Sequence, residues 1–297
     1  MYLYNFAMKK IPFGQTPDTE LFCATKTHIE AMNVLSFSLN SGEAFCKITG
    51  EVGSGKTMLC RLLIRKLEQS RNIAYIPNPN ISVKSLHYAL AKEIGLKIKA
   101  DCREDQISQS IQTRLIKLNK QRGPVVLIID EAQVLSDSAL ETLRLFTNIE
   151  TEQQKLLQIV LFGQPELDKK LKQKNLRQLK QRISFSYYIK PLTSFQVLLY
   201  IKHRLSVVSI GNAININESC AWFVYYFSKG TPRLVNILCH KALMLAYPKN
   251  KKKITLLNVF KAAFDTEGVD RFVVKHLKIS ISVILLSIST TTFAFWI

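Results

Sequence analysis

Residues 50–57 read Gly-Glu-Val-Gly-Ser-Gly-Lys-Thr. Gly, four residues, then Gly-Lys-Thr is the spacing of a phosphate-binding loop. It limits the fold more than any other stretch of the chain. Several backbone N–H groups must converge on one anion, and side chains in the turn would block that approach. Gly50, Gly53 and Gly55 remove them and admit positive φ. Glu51, Val52 and Ser54 complete the loop that faces the ligand. Lys56 places a point charge on the β- and γ-phosphates of a nucleotide. The Thr57 hydroxyl completes the coordination of Mg²⁺. The helix that follows aims its positive end at the same phosphates.

The flanks supply the context that this motif requires. Residues 45–49 are a short β-type run. Leu59, Leu62, Leu63 and Leu67 then recur at three- and four-residue spacing, which predicts an amphipathic helix. Strand, loop and helix follow in that order.

Residues 125–129, Val-Val-Leu-Ile-Ile, are continuously apolar. Such a run predicts a strand buried on both faces, hence a parallel sheet with helices on both sides. It ends in Asp130-Glu131-Ala132-Gln133. Acids at the carboxyl end of a central strand lie beside the loop, so Asp130 holds the Mg²⁺ shell and Glu131 polarises the attacking water. Shorter signals predict strands at 73–76, 156–162 and 183–189. Helices are predicted at 28–39, 83–94, 104–122 and 138–149. The first of these helices packs either beside a base or simply into the core, and carries no catalytic role. Gln164 follows the strand at 156–162 and either senses the γ-phosphate or merely starts the next helix.

Residues 169–182 hold seven basic residues and no acid. They form either a solvated helix face or the source of an arginine finger for a neighbouring subunit, from Arg182 or Arg177. Pro191 opens a change of character. Helical patterns at 193–208, 217–228, 231–247 and 255–264 make a small all-α domain. The chain therefore divides into a nucleotide domain (1–190) and a helical lid (191–268). Arg233, on the first turn of the third lid helix, either pairs with a carboxylate or touches the γ-phosphate.

The chain carries 41 Lys+Arg against 22 Asp+Glu, a formal charge of +19. This fits either an anionic partner or a solvated basic surface. Six cysteines without a Cys-x-x-Cys pair indicate neither a zinc site nor a disulfide framework, and fit a reducing compartment. Residues 279–297 contain no charged residue, and as a helix would span about 28 Å, close to the hydrocarbon core of a bilayer. Seven of these 19 residues are Ser or Thr, and the alternation at 279–282 also suits a strand. The expectation is a single C-terminal membrane span. Arg271, Lys275 and Lys278 on its N-terminal side keep the body cytoplasmic.

Taken together these stretches resemble the ExeA/GspA-like AAA+ ATPases of bacterial secretion and type IV pilus systems. The resemblance rests on Pro12-Phe13, Thr16-Pro17-Asp18, the loop at 50–57, Asp130-Glu131-Ala132-Gln133, Gly163-Gln164-Pro165-Glu166-Leu167 and Gly230-Thr231-Pro232-Arg233. It runs over residues 1–264 and points toward the members that serve mannose-sensitive haemagglutinin (MSHA) pili. It implies ATP and Mg²⁺ as ligands, Walker roles for Lys56, Thr57, Asp130 and Glu131, and sensor 1 at Gln164. It also places the arginine finger near Arg182 and sensor 2 at Arg233. Partners implied are further copies in a ring and assembly proteins at the cytoplasmic face of the inner membrane. The competing function is a DNA-binding ATPase of the transposition-helper or replication-initiator kind. A small-molecule kinase fits less well, because an Asp-Glu pair and a helical lid suit hydrolysis better.

Overall fold

A computed structural model describes residues 2–99, 102–150, 155–211, 216–249 and 253–269. The chain forms two compact units: Pro17–Lys190, and Met1–Thr16 together with the chain from Pro191. A short helix, α1 (Tyr2–Asn5), belongs to the second.

The first unit follows the order α2 (Lys26–Asn40), β1 (Phe45–Gly50), α3 (Lys56–Leu67), β2 (Ile73–Ile76), α4 (Val83–Glu93) and α5 (Glu104–Arg122). It continues with β3 (Val125–Ile129), α6 (Asp137–Phe146), β4 (Leu157–Gly163), α7 (Pro165–Lys170), α8 (Arg177–Arg182) and β5 (Ile183–Ile189). The five strands are all parallel, in the order β2-β3-β4-β1-β5. β3 and β4 explain the sheet's burial. Val125, Leu127, Ile129, Leu157, Ile159 and Leu161 pack on one face with α4, α5 and α6. Val126, Ile128, Val160 and Phe162 pack on the other with α2 and α3. Each such side chain contributes about 2 kcal/mol by leaving water. That is why strands of continuous Val, Leu and Ile occupy the centre. β5, whose burial alternates, takes an edge.

One buried polar side chain breaks this pattern. Gln158 on β4 is fully buried. Its amide donates to the carbonyls of Leu39 (3.1 Å) and Glu43 (3.0 Å) and accepts from Arg71 (3.1 Å). All three bonds are made, so burial does not leave the group unpaired.

The second unit is a helical lid: α9 (Ser194–Val208), α10 (Glu218–Ser228), α11 (Pro232–Ala246) and α12 (Leu256–Phe264). Thr193, Asn217 and Thr255 cap three of these helices through their side chains. Pro232 starts the fourth. Gly230 has φ of 73°, and a Cβ there would lie 2.0 Å from the Leu192 carbonyl oxygen. The turn into α11 closes only on glycine.

The sequence reading places residues 1–16 with the nucleotide domain, whereas here they pack with the lid. Met8 bridges Ser209, Lys9 N–H donates to Val208 O (2.8 Å), and Ile210 N–H donates to Ala7 O (2.7 Å). Tyr2 Oη lies 3.0 Å from His240 Nδ1. Backbone pairing decides the placement, and composition carries no trace of it. The expected membrane span at 279–297 lies outside the described residues. Among the described residues, no helix is long and apolar enough to cross a membrane.

Candidate nucleotide-binding site

Parallel strands deliver their C-terminal ends to one edge of the sheet. Thr49 is level with Gly163, Gly50 with Ile189, and Ile129 with Leu161. Residues 50–57, Asp130-Glu131 and Gln164 therefore emerge together. Gln164 leaves the strand next to the loop, and Asp130 leaves one strand further on, about 10 Å away by strand spacing.

The loop takes the shape that its glycines allow. Gly53 (φ 78°) and Gly55 (φ 96°) are left-handed. Gly50 serves close approach instead: its Cβ would meet Ser54 Oγ at 2.8 Å and Ile189 Cβ at 3.2 Å. Lys56 is buried, and its Nζ donates to the carbonyls of Gly50 (2.7 Å) and Glu51 (2.9 Å). Burial lowers the Lys56 pKa, while Glu131, Asp130, Glu51 and Glu166 oppose that shift.

Asp130 is buried. It accepts from the Glu131 N–H (2.9 Å). Burial raises its pKa, and the Thr57 hydroxyl and the Glu131 N–H oppose that. Glu131 has φ of 53° and ψ of 37°, a left-handed conformation that costs a non-glycine residue about 1 kcal/mol or more. Its Oε2 accepts from Gln133 Nε2 (2.5 Å) and Gln164 Nε2 (3.0 Å). Gln133 Oε1 in turn accepts from the Gln164 N–H (3.0 Å). Lys170 fixes this turn from α7 by donating to the carbonyls of Gln133 (3.2 Å) and Leu135 (2.5 Å).

The structure thus brings the loop, Thr57, Asp130, Glu131 and Gln164 together. Arg182 is elsewhere. It ends α8 just before β5, level with the start of β1, and donates to Thr147 Oγ1 (2.9 Å). Arg177 is exposed at the start of α8. Arg233 is exposed on the first turn of α11, in the helical unit. Sequence reasoning missed Gln133, Lys170 and His28. Gln133 stood in the quoted motif without a role, and Lys170 was hidden in a basic run. His28 touches the loop from α2, with Nε2 3.0 Å from the Ser54 carbonyl oxygen.

A parallel sheet in this order, with a phosphate-binding loop after β1 and an acid pair after β3, defines the P-loop NTPase fold. Residues 39–171 match the family model described as the AAA domain, a nucleotide-binding module. The chain is 36% identical over 269 residues to General secretion pathway protein A of Aeromonas hydrophila. The match takes in 91% of this chain and 49% of the relative, so the chain spans about half that protein's length. It is similar to that protein over most of its own length, and its residues 39–171 match an AAA domain.

Solved structures agree on the fold. The Aeropyrum pernix ORC2 protein, in ADPNP-ADP complexes, aligns with a TM-score of 0.66 at 16% identity, covering 88% of this chain and 72% of that one. The Thermotoga maritima RuvB Holliday junction branch migration motor aligns with a TM-score of 0.57 at 18% identity, covering 87% and 76%. The core is therefore a five-stranded parallel AAA+ sheet followed by a helical lid.

Proposed function

We propose that this chain is an ATPase that binds ATP with Mg²⁺ on residues 50–57 and hydrolyses it to support assembly of a secretion or pilus complex. The observation that carries hydrolysis is the Glu131 carboxylate, held by both Gln133 and Gln164 next to the buried Asp130. The loop suits a phosphate group. Ser54 Oγ is buried without a hydrogen-bond partner, Gly53 and Gly55 turn the backbone, and Lys56 supplies the cation. Thr57 and Asp130 supply the hard oxygen donors that Mg²⁺ takes. Bound there, the ion offsets phosphate charge.

The residues divide the work. Lys56 exchanges its two loop carbonyls for phosphate oxygens. Glu131 accepts a hydrogen bond from the attacking water, and Gln164 fixes that carboxylate while its strand end faces the loop. Arg182 of a second copy, with Arg177 as the alternative, stabilises charge that develops on the transferred group. Arg233 acts as the lid's phosphate sensor.

The likeness to General secretion pathway protein A supports partners from a type II secretion system. An MSHA-type pilus is the finer reading, supported by the motif set described above. Residues 279–297 would anchor the chain as one pass, with the ATPase on the cytoplasmic face of the inner membrane. Phosphate release from Mg²⁺–ATP by the full chain, lost in Glu131→Gln, tests the activity. A parent protein without turnover at any concentration overturns it. The net charge of +19 favours one competing reading, a DNA-dependent ATPase. Tight DNA binding at physiological salt that stimulates turnover would establish that reading instead, since phosphate contacts weaken steeply with salt.

A further inference from the structure

His28 sits on the first turn of α2, and its imidazole is buried against the phosphate-binding loop. Nε2 is 3.0 Å from the Ser54 carbonyl oxygen, and Nδ1 is 2.6 Å from Thr25 Oγ1. The ring of Phe22 meets it edge-on, with centroids 5.4 Å apart. A carbonyl oxygen only accepts, so Nε2 carries the proton. In the neutral ring Nδ1 then accepts, and the Thr25 hydroxyl donates. Thr25 holds the N-cap position of α2 yet makes no side-chain cap to the backbone. Its hydroxyl orients the imidazole instead. Burial lowers the His28 pKa, which keeps the ring neutral in this setting.

The Ser54 carbonyl and the Gly55 N–H belong to one trans peptide plane. In that plane the two groups point in opposite directions. Fixing the carbonyl on His28 turns the Gly55 N–H away from His28. Gly55 itself could not carry a side chain here, because a Cβ would lie 2.7 Å from Nε2. The imidazole occupies the space that glycine leaves. Two residues 27 positions apart thus fit one another, and a side chain from α2 sets the direction of a backbone donor in the loop.

We propose that His28 is a positioning residue of the nucleotide site, whose Nε2–H holds the Ser54–Gly55 peptide in its phosphate-binding orientation. The proposal rests on the reading of residues 50–57 as a phosphate-binding loop. Its effect falls on affinity for the phosphate groups, with Glu131 and its amide partners untouched. KM should therefore rise and kcat stay near the parent value.

Calorimetric titration of the full chain with Mg²⁺–ATP and Mg²⁺–ADP tests it, with the thermal midpoint recorded without nucleotide. His28→Phe keeps a ring and loses the donor. Both affinities should fall about tenfold, the scale of one lost buried hydrogen bond. His28→Gln restores an N–H donor and should recover most of that loss. A merely structural role would lower the thermal midpoint in both variants and leave affinity at low temperature unchanged. Should His28→Phe fail to fold, Thr25→Val leaves the imidazole in place and removes the hydroxyl that orients it. It should weaken binding about threefold. Affinity within twofold of the parent in the folded variant, or a Gln variant as weak as Phe, overturns the proposal. A parent chain that binds no nucleotide, or a Lys56→Ala variant that binds as well as the parent, overturns the loop reading itself.

Discussion

Gln164 and Glu131, 33 positions apart, share a hydrogen bond of 3.0 Å from Nε2 to Oε2. They follow β4 and β3, neighbouring parallel strands in which Ile129 is level with Leu161. Gln133 closes the triangle, because one end of its amide donates to Glu131 and the other accepts from the Gln164 backbone. The carboxylate is thus aimed by two side-chain donors, and its backbone strain is held by the same contacts.

These contacts define the first expectation. Glu131→Gln should bind ATP and lose hydrolysis by about 10²–10⁴-fold, the scale of a lost general base. Gln133→Ala and Gln164→Ala should each lower kcat by up to about 10²-fold through misplacement of Glu131. Their double variant should fall little further, since both act through one carboxylate. Steady-state kinetics check this. Fully multiplicative losses would show that the two glutamines act independently.

Lys56→Ala should lose ATP affinity while the fold survives. Among the described residues the buried ammonium bonds the loop carbonyls of Gly50 and Glu51. Its removal empties no apolar core. Titration with ATP and a thermal melt check both halves. Unchanged affinity would remove the loop from the site.

The features legible in the sequence are those with a local pattern. The strand that feeds the loop at 50–57 and the strand that ends at Asp130-Glu131 are found as Phe45–Gly50 and Val125–Ile129, while their roles toward phosphate and Mg²⁺ belong to the proposal above. The apolar run at 125–129 announced a doubly covered strand, and Val125–Ile129 is that strand. What stayed hidden depends on the third dimension. His28 is an ordinary helix residue until α2 meets the loop. Gln158 looks like a misplaced polar residue until Leu39, Glu43 and Arg71 surround it. Residues 1–16 show their partner through backbone bonds to residues 208–210 and the contact of Tyr2 with His240.

His28 also makes stability depend on pH. Its folded pKa lies below the ordinary 6.5, chiefly through burial. The unfolded chain therefore binds the proton more readily. The neutral ring's stabilisation is fully present above the unfolded pKa and is lost as pH falls from about 6.5 through the folded value. Urea unfolding of the parent should weaken over that window. His28→Gln, which does not titrate, should show a flatter profile there. His240, also lowered by burial, contributes a slope of the same sign to both proteins. Identical slopes would remove His28 as a source.

Gly230 should tolerate no side chain. At φ of 73° a Cβ would lie 2.0 Å from Leu192 O and 2.9 Å from Leu192 N. Backbone cannot yield as a flexible side chain does. Gly230→Ala should cost about 3 kcal/mol or more, from strain and overpacking together. Gly14→Ala, where a Cβ meets nothing within 4 Å, should change little. Chemical denaturation of the two variants separates them, and equal effects would contradict the close approach.

Arg182 gives the last expectation. It lies beyond the start of β5, and Ile183 is level with Phe45 while Ile189 is level with Gly50. Seven strand residues separate it from the loop edge, about 20 Å by strand rise. It cannot reach the phosphates of its own chain, so any role in hydrolysis requires a second copy. An arginine supplied in this way contributes a factor of roughly 10³–10⁵. ATPase activity per subunit should therefore rise with protein concentration. Arg182→Ala should keep ATP binding and lose that rise. Loss of its bond to Thr147 leaves Thr147 still bonded to the Arg144 carbonyl at 2.7 Å, so the local fold should hold. Mixing Arg182→Ala with Lys56→Ala should restore some activity, because one partner supplies the arginine and the other an intact loop. Activity independent of concentration, together with no rescue in the mixture, would make the site self-contained. If Arg182→Ala alone proves silent while concentration dependence persists, Arg177→Ala should abolish it.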